Sequence, residues 1–157
     1  MRRSDRKIKD EEVILNFISN EKIIRIGFCD EKEVYIVPVN YGFCRDDYGK
    51  YIFYFHGAMS GRKYELSQNK PYVGFEIDGH YELIKSDSAC RYSAKYQSII
   101  GSGKVHIVED SEEMLYALKL IMKQISDKSE WSFDVSTVKA TAVFRIDVEK
   151  LSCKARL

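Results

Sequence analysis

Ser60-Gly61-Arg62-Lys63 sets two cations directly behind a residue type that caps helices well. With Ser60 as N-cap, Gly61, Arg62 and Lys63 form the first helical turn. That end of a helix carries unpaired N–H groups and a partial positive charge, so both side chains oppose the macrodipole. A phosphate resolves the conflict, because free amides, dipole and two cations then converge on one anion. Solvation of both cations is the competing reading. Upstream, Tyr51 to His56 has the aromatic and β-branched content of a short strand, and a Gly57-Ala58 turn follows it. The order strand, turn, cationic helix start sets His56 beside the anion site, where an imidazole can donate a hydrogen bond or titrate near neutrality. A histidine on an aromatic strand also serves as a purely structural group. Pro38 sits inside a β-like run; it cannot donate to a ladder and belongs at an edge or a bulge, where neighbouring backbone groups stay free for a ligand.

The elements that must position these residues are short and mostly extended. Asp10 caps a helix through Ser19, with Val13, Ile14, Phe17 and Ile18 on its apolar face. Ile23 to Cys29 and Val34 to Phe43 read as a hairpin around Asp30-Glu31-Lys32-Glu33, and Arg45 to Gly49 turns the chain into the Tyr51 strand. Beyond the cationic helix, Tyr72 to Ile84 and Ser93 to Glu109 read as strands, and Gly101 and Gly103 suggest a bulge or bend. A second strong helix spans Ser111 to Ile125, and Thr137 to Val148 alternates as a last strand. Six strands with short antiparallel connections and three helices favour a mainly β fold, a small closed or split barrel with flanking helices, over a doubly wound sheet. Gly101-Ser102-Gly103 opens no helix and is not a dinucleotide fingerprint.

At 157 residues the chain reads as one domain, residues 1–157. Its 25 Lys and Arg against 24 Asp and Glu leave no field that would recruit nucleic acid or a membrane. The basic opening, Arg2, Arg3, Arg6, Lys7 and Lys9, is interrupted by Asp5 and followed by Asp10, Glu11 and Glu12, and reads as a solvated arm. No apolar run approaches the roughly 20 residues that span a bilayer, and no signal-peptide core follows the N-terminal charges, so the expected compartment is the cytoplasm. Cys29, Cys44, Cys90 and Cys153 form no Cys-x-x-Cys pair, and His56, His80 and His106 have no metal-ligand spacing. Eleven Tyr and eight Phe exceed what a small interior readily holds, which suits an interface. Trp131-Ser132-Phe133 lies in the loop before the last strand, placed to cover a pocket or pack at an interface edge.

The ordered set Pro38-Val39-Asn40-Tyr41, Phe55-His56-Gly57-Ala58-x-x-Gly61-Arg62-Lys63, Asn69-x-Pro71 and Tyr96-Gln97-Ser98-Ile99-Ile100-Gly101-Ser102-Gly103 resembles the pyridoxamine 5′-phosphate oxidase-like FMN-binding split-barrel superfamily. Within it, the branch of nitroimidazole-resistance proteins is most similar, and Met1 to Arg6 and Lys150 to Arg156 share that likeness. The resemblance implies a six-stranded antiparallel split barrel that binds FMN. It implies phosphate contacts from Ser60, Gly61, Arg62 and Lys63, and a flavin slot at Pro38, Val39, Asn40, Tyr41, Phe55 and His56. It also implies a homodimer with FMN at the interface, where Tyr96, Gln97 and Ser98 reach the partner's flavin. Such a protein exchanges electrons between a small-molecule donor such as a reduced nicotinamide and a small acceptor, with nitroaromatics as one class. His56 is then the candidate catalytic side chain. Pyridoxal chemistry is not expected, because the chain ends at Leu157 without that enzyme group's Arg-x-x-Pro-type terminus. The reading from another class is a flavin- or haem-binding storage or sensor module, with a histidine as axial ligand.

Overall fold

The computed structural model describes residues 4–31, 33–126, 128 and 130–156. The expectations that fall on Arg2, Arg3, Lys32 and Leu157 lie outside the described residues. After a 3-10 turn come β1 (Lys7–Ile8) and α1 (Glu11–Asn20). The Asp10 carboxylate caps α1 by accepting from the Glu12 and Val13 amides, as the sequence predicts. The chain continues through β2 (Ile23–Asp30), β3 (Glu33–Asn40), β4 (Gly42–Arg45), β5 (Tyr51–Ala58), α2 (Arg62–Asn69) and β6 (Tyr72–Ile84). It closes with β7 (Ser93–Ile107), α3 (Ser111–Ile125), α4 (Val135–Lys139) and β8 (Thr141–Arg156). No helix among the described residues is long and apolar enough to cross a membrane.

The strands form one eight-stranded antiparallel sheet in the order β3-β2-β6-β7-β8-β5-β4, with β1 added along β8. β3 and β4 are consecutive in sequence yet end the path on opposite sides. Laid flat, seven strands would span roughly 29 Å. Tyr41 alone joins the two ends, so Asn40 and Gly42 lie within about 7.6 Å of each other. The sheet therefore curls around its own core. It is not closed by hydrogen bonds, since no ladder joins β3 to β4 among the described residues. Tyr41 is 0% exposed, lies edge-on to Phe53 and donates its hydroxyl to the Ile18 carbonyl at 2.7 Å. Burial pushes its phenol pKa up.

These facts correct the expected count. The Val34 to Phe43 run is two strands because the chain changes sheet edge at Tyr41, and β1 is too short to show a period. The last strand begins at Thr141, after a fourth helix where strand alternation was expected, and runs on to Arg156.

β5 is buried on both faces. Tyr51, Phe53 and Phe55 enter the main core with Phe17, Ile26 and Phe75, while Ile52 and Tyr54 pack under α3 with Leu118 and Ile121. The α1 carboxyl end is sealed by buried Gln124 of α3, whose Nε2 donates to the Ile18 and Glu21 carbonyls, both at 2.7 Å. α3 also lies directly on Gly42, where a Cβ would come within 2.5 Å of the Leu120 and Ile121 backbone. Backbone cannot swing aside as a side-chain tip can. Gly42→Ala is therefore expected to cost about 1–3 kcal/mol in urea unfolding. Gly74→Ala, where the added methyl meets only the Gly101 carbonyl at 3.8 Å, should leave the midpoint nearly unchanged. Equal effects of the two would mean that α3 does not depend on this close approach.

Candidate functional site

α2 starts differently from the sequence expectation. Its N-cap is Gly61, at φ +93°, a conformation that glycine adopts without strain, and no side chain caps the first amides. Ser60 is exposed and stands one residue outside. Arg62 is already paired: its Nε and Nη2 donate to Asp30 Oδ2 at 3.0 and 2.8 Å, and Nη2 donates to Glu33 Oε1 at 2.6 Å. The guanidinium also lies over the Tyr35 ring. Its hydrogen bonds hold the Asp30 carboxyl below the usual range. The anionic partner that the charge pattern calls for is thus partly supplied by the β2–β3 hairpin.

Lys63 has no carboxylate partner among the described residues. Its Nζ donates to the His56 carbonyl at 3.3 Å and stands 5.6 and 5.4 Å from the centres of the stacked Phe55 and Phe144 rings. Desolvation lowers its pKa. Gly57, which the structure places inside β5 and not in a turn, makes this position possible: a Cβ there would meet Lys63 Nζ at 2.5 Å.

Strand alternation sends the two neighbouring residues of β5 to opposite faces. Phe55 enters the main core, and His56 lines a cavity of about 180 Å³ with Leu118, Ile121, Met122, Phe133 and Val138. Only the His56 carbonyl, not its ring, faces the cationic corner. The imidazole keeps access to solvent, and its pKa is lowered first by desolvation and second by Lys63. His80 lies 3.8 Å from Glu21, and His106 lies 3.5 Å from Asp147. Among the described residues no group of three or more His, Cys, Asp or Glu could hold a metal ion.

Pro38 is on the sheet's end strand, where its missing N–H breaks no second ladder. It is exposed, Val39 is half-buried against the core, and Asn40 Nδ2 donates to the Lys22 carbonyl at 2.9 Å. The Tyr41 side chain belongs to the core, so only its backbone is available to a ligand. Tyr96, Gln97 and Ser98 lie on β7, which β2 and β6 separate from β3 by roughly 14 Å. Within one chain they do not join the β3–α2 corner. Tyr96 accepts a hydrogen bond from Arg6, Gln97 is buried against Cys153, and Ser98 lies opposite Asp78 and Lys154.

Sequence reasoning missed the outer face of the curled sheet. Val34, Ile36 and Ile100 are 65%, 62% and 58% exposed there, around the paired glycines Gly27 and Gly74. Glu76 and Asp78 of β6 hold Arg25, while Lys150 and Lys154 stand on β8. The alternation of β3 carried this signal, but β3 is apolar on both faces and its outward residues read as core.

The profile of the pyridoxamine 5′-phosphate oxidase family matches residues 10–155. The chain belongs to this family. Among solved structures, a candidate 5-nitroimidazole antibiotic resistance protein from Bacteroides thetaiotaomicron is 27% identical, covering 95% of this chain and 86% of its own, with a TM-score of 0.81. That match agrees with the branch that the sequence resembles. The flavocytochrome Anf3 from Azotobacter vinelandii is 18% identical, over 100% of this chain and 72% of its own, with a TM-score of 0.82. An FAD- and haem-binding protein from Mycobacterium smegmatis is 12% identical, over 96% and 73%, with a TM-score of 0.81. The last two show the fold. No curated protein matches the chain by sequence.

The depressed His56 pKa has a stability consequence. Between the unfolded imidazole value of about 6.5 and the lower folded value, the unfolded chain binds the extra proton. Stability therefore falls as pH drops through that window and is fully present above it. Urea unfolding of the native chain between pH 7 and 5 is expected to show this slope, and His56→Gln to reduce it. An identical slope in the variant would show that His56 is not desolvated.

Proposed function

We propose that the protein is a flavoprotein that binds FMN through the α2 corner and works as a dimeric oxidoreductase of small molecules. The observation that carries this reading is the uncapped start of α2. Among the described residues its first amides have no side-chain acceptor, and Lys63 stands without a carboxylate partner beside them on an aromatic shelf. A phosphate fits that donor set, since it accepts from amides and ammonium together. Ser60 and Gly61 frame the same corner. Arg62 would join by exchanging part of its pairing with Asp30 and Glu33 for the phosphate. The edge backbone of Pro38, Val39, Asn40 and Tyr41 would receive the polar rim of the ring system, with the backbone of Phe55 and His56 at its side. Flavin and haem binding by relatives of the same fold supports a flavin in general, and the short phosphate corner favours FMN over a dinucleotide.

A second copy completes the site. Its Tyr96, Gln97 and Ser98 are too far from β3 within one chain, and the exposed outer face offers a surface for pairing. On a two-fold axis the acidic stripe of Glu76 and Asp78 can meet the Lys150 and Lys154 stripe of the other copy, around the flat Gly27–Gly74 centre. When bound, flavin supplies the two-electron chemistry between a reduced nicotinamide and a small acceptor, with nitroaromatics as the class to assay. The chain itself holds the phosphate, orients the ring edge and excludes water. A haem site has less support: His80 and His106 each face a carboxylate, and the cavity at His56 is far smaller than a porphyrin.

The visible spectrum of the purified protein, with the mass of the heat-released chromophore, tests the cofactor; a Soret band would replace the flavin reading by haem. Lys63→Ala is expected to weaken FMN binding by about 1.5–3 kcal/mol. Arg62→Ala should cost less, because Arg62 is already neutralised, and Asp30→Asn should tighten binding by releasing it. Unchanged affinity in Lys63→Ala would remove the phosphate assignment. Ile100→Lys is expected to shift sedimentation to the monomer and lower flavin occupancy together; a flavin-loaded monomer would sink the interfacial site.

A further inference from the structure

The cavity between β5, α3 and α4 is a separate feature from the cationic corner. Its walls are Leu118, Ile121 and Met122 of α3, Phe133, and Val138 of α4, with His56 of β5 among them. The other polar groups of the lining are consumed by the local fold. The Asp134 carboxylate accepts from the Thr137 amide at 2.9 Å and from the Thr137 and Ser136 hydroxyls, and the Thr141 hydroxyl donates to the Thr137 carbonyl at 2.8 Å. His56 is left without a hydrogen-bond partner for its ring among the described residues. The floor is formed by buried Leu118 and Ile121, and the pocket opens to solvent past exposed His56, Asp134 and Thr137. A cavity of about 180 Å³ with apolar walls and one unassigned polar group is shaped for a ligand.

We propose that this cavity binds a small uncharged aromatic molecule, held by one hydrogen bond to the His56 imidazole. The size matches: an apolar cavity of about 150 Å³ lined by Leu, Ile and Phe takes up benzene. Met122 and Phe133 offer favourable contacts to a ring face or edge. The Asp134 carboxylate on the wall repels an anion, and the otherwise apolar walls favour an uncharged ligand over a cation, which would lose its hydration there. A neutral imidazole has one donor and one acceptor nitrogen, so a hydroxyl or ring nitrogen on the ligand can pair with either. The site lies on the face of β5 opposite Phe55 and the Lys63 shelf, and it does not depend on a bound flavin.

The test titrates the full chain with phenol, toluene and benzoate while following the His56 imidazole resonances by NMR. Phenol is expected to saturate at one site and to shift the imidazole signals. Toluene, with the same outline and no hydroxyl, should bind about fivefold more weakly, and benzoate should not bind. His56→Phe should abolish the preference for phenol over toluene. Met122→Phe and Val138→Phe fill the cavity from two sides, and each should block both probes while melting near the native temperature. If one of them fails to fold, the other carries the test. Titration without saturation, or binding that survives both fillings, would overturn the site. FMN affinity is measured in Met122→Phe and Val138→Phe: retained FMN binding with lost phenol binding supports a separate site. Joint loss would give the cavity to the flavin and overturn the proposal. Absence of FMN binding in the native chain would defeat the flavin reading and leave the phenol result standing.

Discussion

One residue governs this architecture. Tyr41 is all that lies between two strands that end a seven-strand path, so the sheet has to curl until its edges almost meet. The buried Tyr41 ring then fills the seam, and its hydroxyl ties the seam to the end of α1. The same curl leaves the end strand β3 unpaired along one side and brings its last residues toward the end of β5. Backbone freedom at that edge and burial of Tyr41 are two results of a single topological constraint.

The electrostatics of the corner follow from what each cation can reach. Arg62 is long and forked, and it spans to Asp30 and Glu33 on the β2–β3 hairpin. Lys63 lies against Phe55 and Phe144 and among the described residues finds only a carbonyl, so it carries the cost of partial desolvation without an opposing charge there. An exposed ion pair such as that of Arg62 contributes little to stability and is readily exchanged for a better acceptor. The geometry thus divides two adjacent cations into one that is neutralised and one that is poised. Period-two alternation makes a similar division one strand away: it sends Phe55 into the core and His56 to the cavity under α3.

Helix α3 makes the second side of the molecule. Its approach needs Gly42, its Gln124 seals α1, and its apolar stripe covers the outer face of β5. Because β5 is covered on both faces, five consecutive residues from Tyr51 to Phe55 are buried. Near the end of this layer the packing opens into the His56 cavity, where α4 and Phe133 complete the wall.

Much of this was legible in the residues alone. Asp10 and the acids of the α3 start mark helix beginnings by local hydrogen bonding and dipole, and the 3.6-residue stripe of α3 shows one buried face. Pro38 announces an edge because it lacks a donor. These are properties of a few neighbouring residues, and the chain carries them wherever it folds. What required the tertiary structure is every relation between distant segments. The sequence could not show that the Val34 to Phe43 run breaks at Tyr41, since both halves have the same composition and only their opposite sheet ends separate them. Nor could it pair Arg62 with Asp30 and Glu33, whose approach depends on where α2 crosses the hairpin. Local patterning determined most of the elements, the Asp10 cap and the cationic character of the α2 start, but not the residue that caps α2. Long-range packing decided which cation remains free, which way His56 faces and which apolar residues stay outside, because those depend on partners that no local spacing encodes.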